Sequence, residues 1–244
     1  DEKNNFRRRL AFDELLAHQL AICIIRAING RKQSIPFKNE NKLKKNLINS
    51  LDFKLTNSQI MVLNEIQEDL ESDKQMIRLL QGDVGSGKTI VALISMLIVV
   101  ESGYQATLMA PTSILAYQHY ENISKLIKSL SINIEILTGR DKGKKRYEKL
   151  EKIKNNEVQI VIGTHALIQE GVSFKQLGLS IIDEQHRFGV YQRMAFNYKG
   201  FRPSILVMSA TPIPRTLTLA AYGDMDESRL TEKPLGRKII KTSS

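Results

Sequence analysis

Strands alternating with helices from about residue 51 onward predict an α/β fold, with a mostly parallel sheet covered by helices on both faces. Three observations carry that expectation. Short apolar runs such as Ile205-Leu206-Val207-Met208 read as buried strands, and longer stretches between them carry apolar residues at helical spacing. At the first strand–helix junction stands Gly82-Asp83-Val84-Gly85-Ser86-Gly87-Lys88-Thr89, which fits the phosphate-binding pattern G-x-x-x-x-G-K-[ST].

The elements follow in order. Leu10, Phe12, Leu15, Leu16, Ala17, Leu20, Ile24 and Ile28 predict a helix over 7–29, closed by Asn29-Gly30. A basic, polar stretch from Arg31 to about Ser50 has a weaker helical pattern around Leu43, Leu47 and Ile48. Residues 1–50 therefore read as an N-terminal linker helix and basic connector that dock on a main domain, residues 51–244. In that domain a helix over 57–71 precedes a strand at 76–80, the phosphate loop and a helix over 88–101. The apolar run Ile90–Val100 marks a core helix too short to span a bilayer. A strand at 106–110, a helix over 114–130 and a strand at 133–137 come next. A basic helix over 143–154, a strand at 158–162, a short helix over 164–168 and strands at 179–183 and 204–208 complete the pattern. The tail after Asp226, with Pro234 and Gly236, reads as a strand and then a linker.

A chain of 244 residues suffices for one large domain or a domain with an appendage, and 42% hydrophobic residues is an ordinary soluble composition. The chain opens Asp1-Glu2-Lys3, without Met or a signal-peptide core, and reads as a piece of a longer protein. The lone Cys23 rules out an intrachain disulfide, is expected in the core, and makes a reducing, cytoplasmic setting the default. Lys plus Arg number 36 against 26 for Asp plus Glu, a net charge of +10. Such an excess suggests a polyanion such as DNA or RNA, or else a solvated lysine-rich surface. It concentrates in the first fifty residues and between Arg140 and Lys154.

The phosphate loop carries the clearest chemistry. The backbone from Gly82 through Gly85, Ser86 and Gly87 can wrap an anion, with a helix N-terminus behind it. Lys88 would reach the β- and γ-phosphates, and the Thr89 hydroxyl would take a Mg²⁺ position. An acidic partner is supplied by Leu179-Ser180-Ile181-Ile182-Asp183-Glu184. Asp183 is expected to hold Mg²⁺ and Glu184 to orient or deprotonate the attacking water. The plain alternatives are a glycine turn between core elements and a solvated strand end. Ser209-Ala210-Thr211 closes another buried strand, so Ser209 and Thr211 are candidates to hydrogen-bond the acidic motif.

Taken together these runs resemble the superfamily 2 helicases, and within them the RecG family. The resemblance rests on the phosphate loop, Ala110-Pro111-Thr112, Gly163-Thr164-His165-Ala166-Leu167-Ile168-Gln169 and Asp183-Glu184-Gln185-His186-Arg187-Phe188-Gly189-Val190. Ser209-Ala210-Thr211-Pro212-Ile213-Pro214-Arg215-Thr216-Leu217, with Tyr222-Gly223-Asp224 after it, and the upstream Arg9–Leu16 segment add to it. It implies a RecA-like lobe of a DNA-dependent ATPase that uses ATP and Mg²⁺, moves on duplex DNA and remodels forks, Holliday junctions and other branched DNA. It further implies that Gln59 reads the adenine, with Phe53 either stacked on the base or in the core. Pro111, Thr112, Arg140, Thr164 and His165 would grip the DNA backbone, a contact independent of sequence. His186, with Ser209 and Thr211, would couple the acidic motif to those segments.

Motors of this type need a second lobe that brings arginines to the γ-phosphate, and too few residues follow Thr211 to form one. A DNA-reading wedge domain is also expected upstream. Arg187, Arg193 and Arg215 lie on this lobe's own motifs and are not obvious substitutes. The chain is accordingly expected to bind nucleotide and, alone, to hydrolyse it poorly. Three alternatives stay open at this point: a non-catalytic nucleotide-binding scaffold, a lobe of the related transcription-repair coupling translocase, and a phosphate-loop kinase or transporter ATPase.

Overall fold

The computed structural model describes residues 2–29, 33–183, 202–210 and 225–232. Seven strands form one sheet in the order β3-β4-β2-β5-β6-β1-β7. They are β1 (Ile77–Gly82), β2 (Gln105–Met109), β3 (Ile134–Leu137), β4 (Ile160–Gly163), β5 (Leu177–Asp183), β6 (Ser204–Ser209) and β7 (Asp226–Leu230). Every pairing between them is parallel. Parallel neighbours require crossovers, and helices supply them.

The helices are α1 (Glu2–Asn29), α2 (Lys42–Ser50), α3 (Asn57–Glu71), α4 (Lys88–Glu101), α5 (Ser113–Leu126) and α6 (Gly143–Lys154), with a 3-10 turn at His165–Leu167. On one sheet face α2, α3, α4 and α5 bury a core that includes Leu47, Val62, Leu93, Leu97, Ala116 and Ile181. α4 is buried from Ile90 through Val100, which explains its lack of a polar face. The other face packs Leu79, Ile182 and Val207 beneath Ile153 of α6, Ala166 and Leu167 of the 3-10 turn, and Phe174. Among the described residues no helix is long and apolar enough to cross a membrane.

Observed element ends lie within a few residues of those expected. α5 stops at Leu126 rather than 130, because the Leu130 N–H bonds the Ile127 carbonyl at 2.8 Å in a tighter turn.

The N-terminal residues divide into two cases. The connector is built into the core: Phe37 and Leu47 are buried, and the Phe37 N–H bonds the Leu70 carbonyl at 2.8 Å. Glu101, the last residue of α4, accepts from the Lys42 and Leu43 N–H groups at 2.9 and 2.8 Å, capping α2 from another helix. α1 behaves otherwise. Its apolar residues Phe6, Leu10, Leu15, Leu16, Leu20 and Ile24 are all exposed, from 45% to 76%. The expected docking of this helix is thus corrected for its described side chains. Cys23, expected in the core, is exposed on the same helix.

Candidate functional site

Because all strands run parallel, their C-terminal ends share one edge of the sheet, where loops can converge. β1 delivers the phosphate loop there. Gly85 and Gly87 have φ of 78° and 88°, the left-handed region that glycine enters without strain. A Cβ on Gly87 would also lie 2.1 Å from Gln59 Nε2. Gly87 caps α4 without a side chain, and the first turn of α4 holds no acidic residue. The helix therefore offers its N-terminal N–H groups and partial positive charge to an external anion. Lys88 Nζ lies over the loop, donating to the Gly82 and Asp83 carbonyls at 2.6 and 3.0 Å. Ser86 Oγ is buried with no hydrogen-bond partner among the described residues. An orphaned hydroxyl, a helix N-terminus and a nearby ammonium fit a phosphate chain, and the Thr89 hydroxyl with the Asp183 carboxylate offers hard oxygens suited to Mg²⁺.

Gln59 is wholly buried beside this loop. Its Oε1 accepts from the Thr56 N–H at 2.9 Å, its own N–H donates to Thr56 Oγ1, and its Nε2 donates to the Ser86 carbonyl at 2.8 Å. This is a capping box at the start of α3 whose second arm holds the phosphate loop. Phe53 is 46% exposed, so the core alternative for that ring does not hold.

Asp183 closes β5 and is 8% exposed. Its Oδ2 lies 2.7 Å from His119 Nε2. An ionised carboxylate only accepts, so the imidazole N–H donates. Sequence reasoning missed His119. The signal was faint: a histidine in line with the inward Ala116 and Ile123 of α5, where an apolar residue belongs. Ser209 ends β6 and is buried. Glu184, His186 and Thr211 lie outside the described residues, as do Arg187, Arg193 and Arg215.

The strand order sorts the remaining site residues. β5, β6 and β1 are contiguous and carry Asp183, Ser209 and the phosphate loop at their ends. β3, β4 and β2 are contiguous on the other side, and end in Thr138-Gly139-Arg140, Thr164-His165 and Pro111-Thr112. Thr112, Arg140 and His165 are exposed; Pro111 and Thr164 are half-buried. These three strand ends are held close. The Ala110 N–H bonds the Gly163 carbonyl at 2.8 Å, and the Thr164 N–H bonds the Leu137 carbonyl at 3.3 Å. A Cβ on Gly163 would meet the Leu137 carbonyl oxygen at 2.1 Å, so this position requires glycine.

The turn carrying Arg140 is pinned from below. Asp141 Oδ2 accepts from the Thr138 N–H at 2.7 Å, and Asp141 Oδ1 pairs with Lys149 Nζ of α6 at 2.9 Å. Lys149 also pairs with Glu135 at 3.3 Å and donates to the Ile136 carbonyl at 2.6 Å. Burial pushes the Asp141 carboxyl up, but the Thr138 N–H and the Lys149 ammonium outweigh it and hold its pKa below the ordinary value. Burial likewise pulls Lys149 down, while Asp141 and Glu135 leave it raised. Lys149 is thus a structural cation rather than part of a free basic surface.

The DEAD/DEAH box helicase family matches residues 56–219 of this chain. The ATP-dependent DNA helicase RecG of Haemophilus influenzae is 48% identical over 244 residues, covering 98% of this chain and 35% of that protein. RecG of Thermotoga maritima is 50% identical over 236 residues, covering 97% and 30% respectively. The structure of a RecG bound to a three-way DNA junction superposes with a TM-score of 0.84 at 47% identity, over 95% of this chain and 31% of that one. A DEAD box protein from the hyperthermophile Methanococcus jannaschii superposes with a TM-score of 0.58 at 27% identity, over 78% of this chain and 53% of that one. The chain spans 30–35% of the length of these two RecG relatives.

Proposed function

The chain belongs to the DEAD/DEAH box helicase family, and from that premise we propose that it is the ATP-binding motor lobe of a RecG-like DNA helicase. One observation carries the reading: the phosphate loop, Ser209 and Asp183 end three adjacent parallel strands, β1, β6 and β5, at one sheet edge. In this reading the amides of Gly82, Gly85, Ser86 and Gly87 bind the phosphates, Lys88 neutralises them, and Gln59 reads the adenine. Thr89 and Asp183 would hold Mg²⁺, which would supply charge neutralisation to the phosphate chain. Glu184 orients the attacking water. His186, Ser209 and Thr211 relay the state of that half-site to Pro111, Thr112, Arg140, Thr164 and His165, which grip DNA phosphates. The DNA is branched duplex, as at forks and Holliday junctions, and the junction bound by the RecG relative supports that choice. A wedge domain and a second motor lobe are the remaining partners, the latter supplying transition-state arginines worth about 10³–10⁵ in rate.

Two measurements test the proposal. A fluorescent ATP analogue should bind these 244 residues, and Lys88→Ala should weaken it at least about tenfold through loss of charge-assisted bonds. Steady-state ATP hydrolysis should stay near background with or without a three-way DNA junction until the second lobe is supplied. No nucleotide binding would overturn the site. Robust DNA-stimulated turnover by the chain alone would overturn the division of labour between lobes.

A further inference from the structure

The His119–Asp183 hydrogen bond crosses the boundary between the two halves of the sheet edge. His119 stands on α5, the helix that leaves β2, the last strand on the side of Arg140 and His165. Asp183 closes β5, the first strand on the phosphate-loop side. β2 and β5 pair directly, so the bond sits where the strand order turns, the crevice in which sheets of this class hold ligands.

α5 makes a rigid connection between the two. Thr112 caps it, its Oγ1 accepting from the Leu115 N–H at 3.3 Å, and is itself exposed at the edge. Two helical turns, about 10 Å of axis, separate that cap from His119. Ala116 and Ile123 lock the same inward face into the core, and the His119 and Asp183 side chains are only 13% and 12% exposed. The bond therefore ties a partly buried side chain of α5 to the end of β5. Asp183 has a second oxygen, and a carboxylate held by one oxygen offers the other in a fixed direction.

Resting on the function proposed above, we propose that His119 is a positioning residue. It fixes the Asp183 carboxylate for Mg²⁺ and, through α5, ties the metal half-site to the Pro111-Thr112 segment that grips DNA. Partners behind a metal ligand commonly contribute 10–100-fold in metal affinity. The coupling is reciprocal: DNA that shifts α5 changes the affinity for Mg²⁺–nucleotide, and Mg²⁺–nucleotide changes the affinity for DNA by the same factor.

The test uses the full chain, a fluorescent ATP analogue, MgCl₂ titrated from EDTA, and a three-way DNA junction present or absent. His119→Ala should raise the Mg²⁺ concentration for half-maximal binding about tenfold or more, with binding in EDTA unchanged. His119→Gln, whose amide N–H can reach the same oxygen, should recover most of that loss. The shift in Mg²⁺ half-saturation caused by DNA should disappear in His119→Ala. An unchanged Mg²⁺ requirement in His119→Ala, at a wild-type urea midpoint, would overturn the positioning role. Equal weakening in EDTA and in Mg²⁺ would reduce His119 to a structural residue and overturn it too. A DNA-induced shift that survives in His119→Ala would overturn the coupling. Wild-type binding indifferent to both Mg²⁺ and Lys88→Ala would instead overturn the nucleotide-site reading, and this inference with it.

Discussion

At the scale of single residues, Gln59 shows how one side chain can tie a helix start to a distant loop. Its amide closes the capping box of α3 and holds the Ser86 carbonyl, so it fixes the phosphate loop to the start of that helix. Gln59→Ala would leave the Thr56 N–H and the Ser86 carbonyl unpaired, at a cost of about 1–3 kcal/mol. We expect a lower urea midpoint in the absence of nucleotide. A wild-type midpoint with only a loss of preference for adenine would assign the side chain to base reading alone. The glycine, lysine and threonine of the loop were legible because their roles are local: φ, backbone access and reach from a helix start. His119 was not, because its partner stands 64 residues later.

Among the elements, α6 carries the clearest contrast between charge as counted and charge as placed. Its lysines looked alike in the sequence, yet Lys149 is committed to Asp141, Glu135 and the Ile136 carbonyl, while Lys144 and Lys145 are exposed. Asp141 binds a proton less readily folded than unfolded. Its contribution to stability is therefore present at neutral pH and is lost as pH falls from the ordinary carboxylate range through its lowered folded value. Lys149 has the opposite sign, its contribution being lost only above the ordinary lysine range. Urea midpoints of wild type and Asp141→Asn should differ near pH 7 and begin to converge only below about pH 4. Convergence already at pH 6 would mean that the Asp141 pair does not hold the turn that carries Arg140.

Over the whole molecule, the strand order separates the ends that carry the phosphate loop, Ser209 and Asp183 from those that carry Thr112, Arg140 and His165, and α6 lies under the latter. Charge reversal at Lys144, Lys145 and Arg146 tests whether this exposed helix extends the proposed DNA surface. Replacing all three with Glu should weaken DNA binding at low salt and make the slope of log affinity against log salt shallower by about one unit per lost phosphate contact. An unchanged slope would assign these charges to solvation. α1 is the other large-scale feature, with its described apolar side chains turned to solvent although their spacing had suggested docking. Periodicity identifies the face of a helix but not what covers it.

The sequence by itself determined the α/β class, nearly every strand and helix, and the glycine-rich loop between β1 and α4. These rest on backbone propensity, apolar periodicity and residues within one turn of each other. Only the tertiary structure decided that β2 and β5 lie side by side, that His119 meets Asp183 across that boundary, and that Lys149 is half-buried among carboxylates while Lys144 is exposed, paired only along its own helix with Glu148. It also decided that Phe37 and Leu47 enter the core while Phe6, Leu10, Leu15, Leu20 and Ile24 of α1 face solvent. The reason is physical: crossover connections bring distant residues into contact through burial, and burial depends on which surfaces meet, not on the order of residues along the chain.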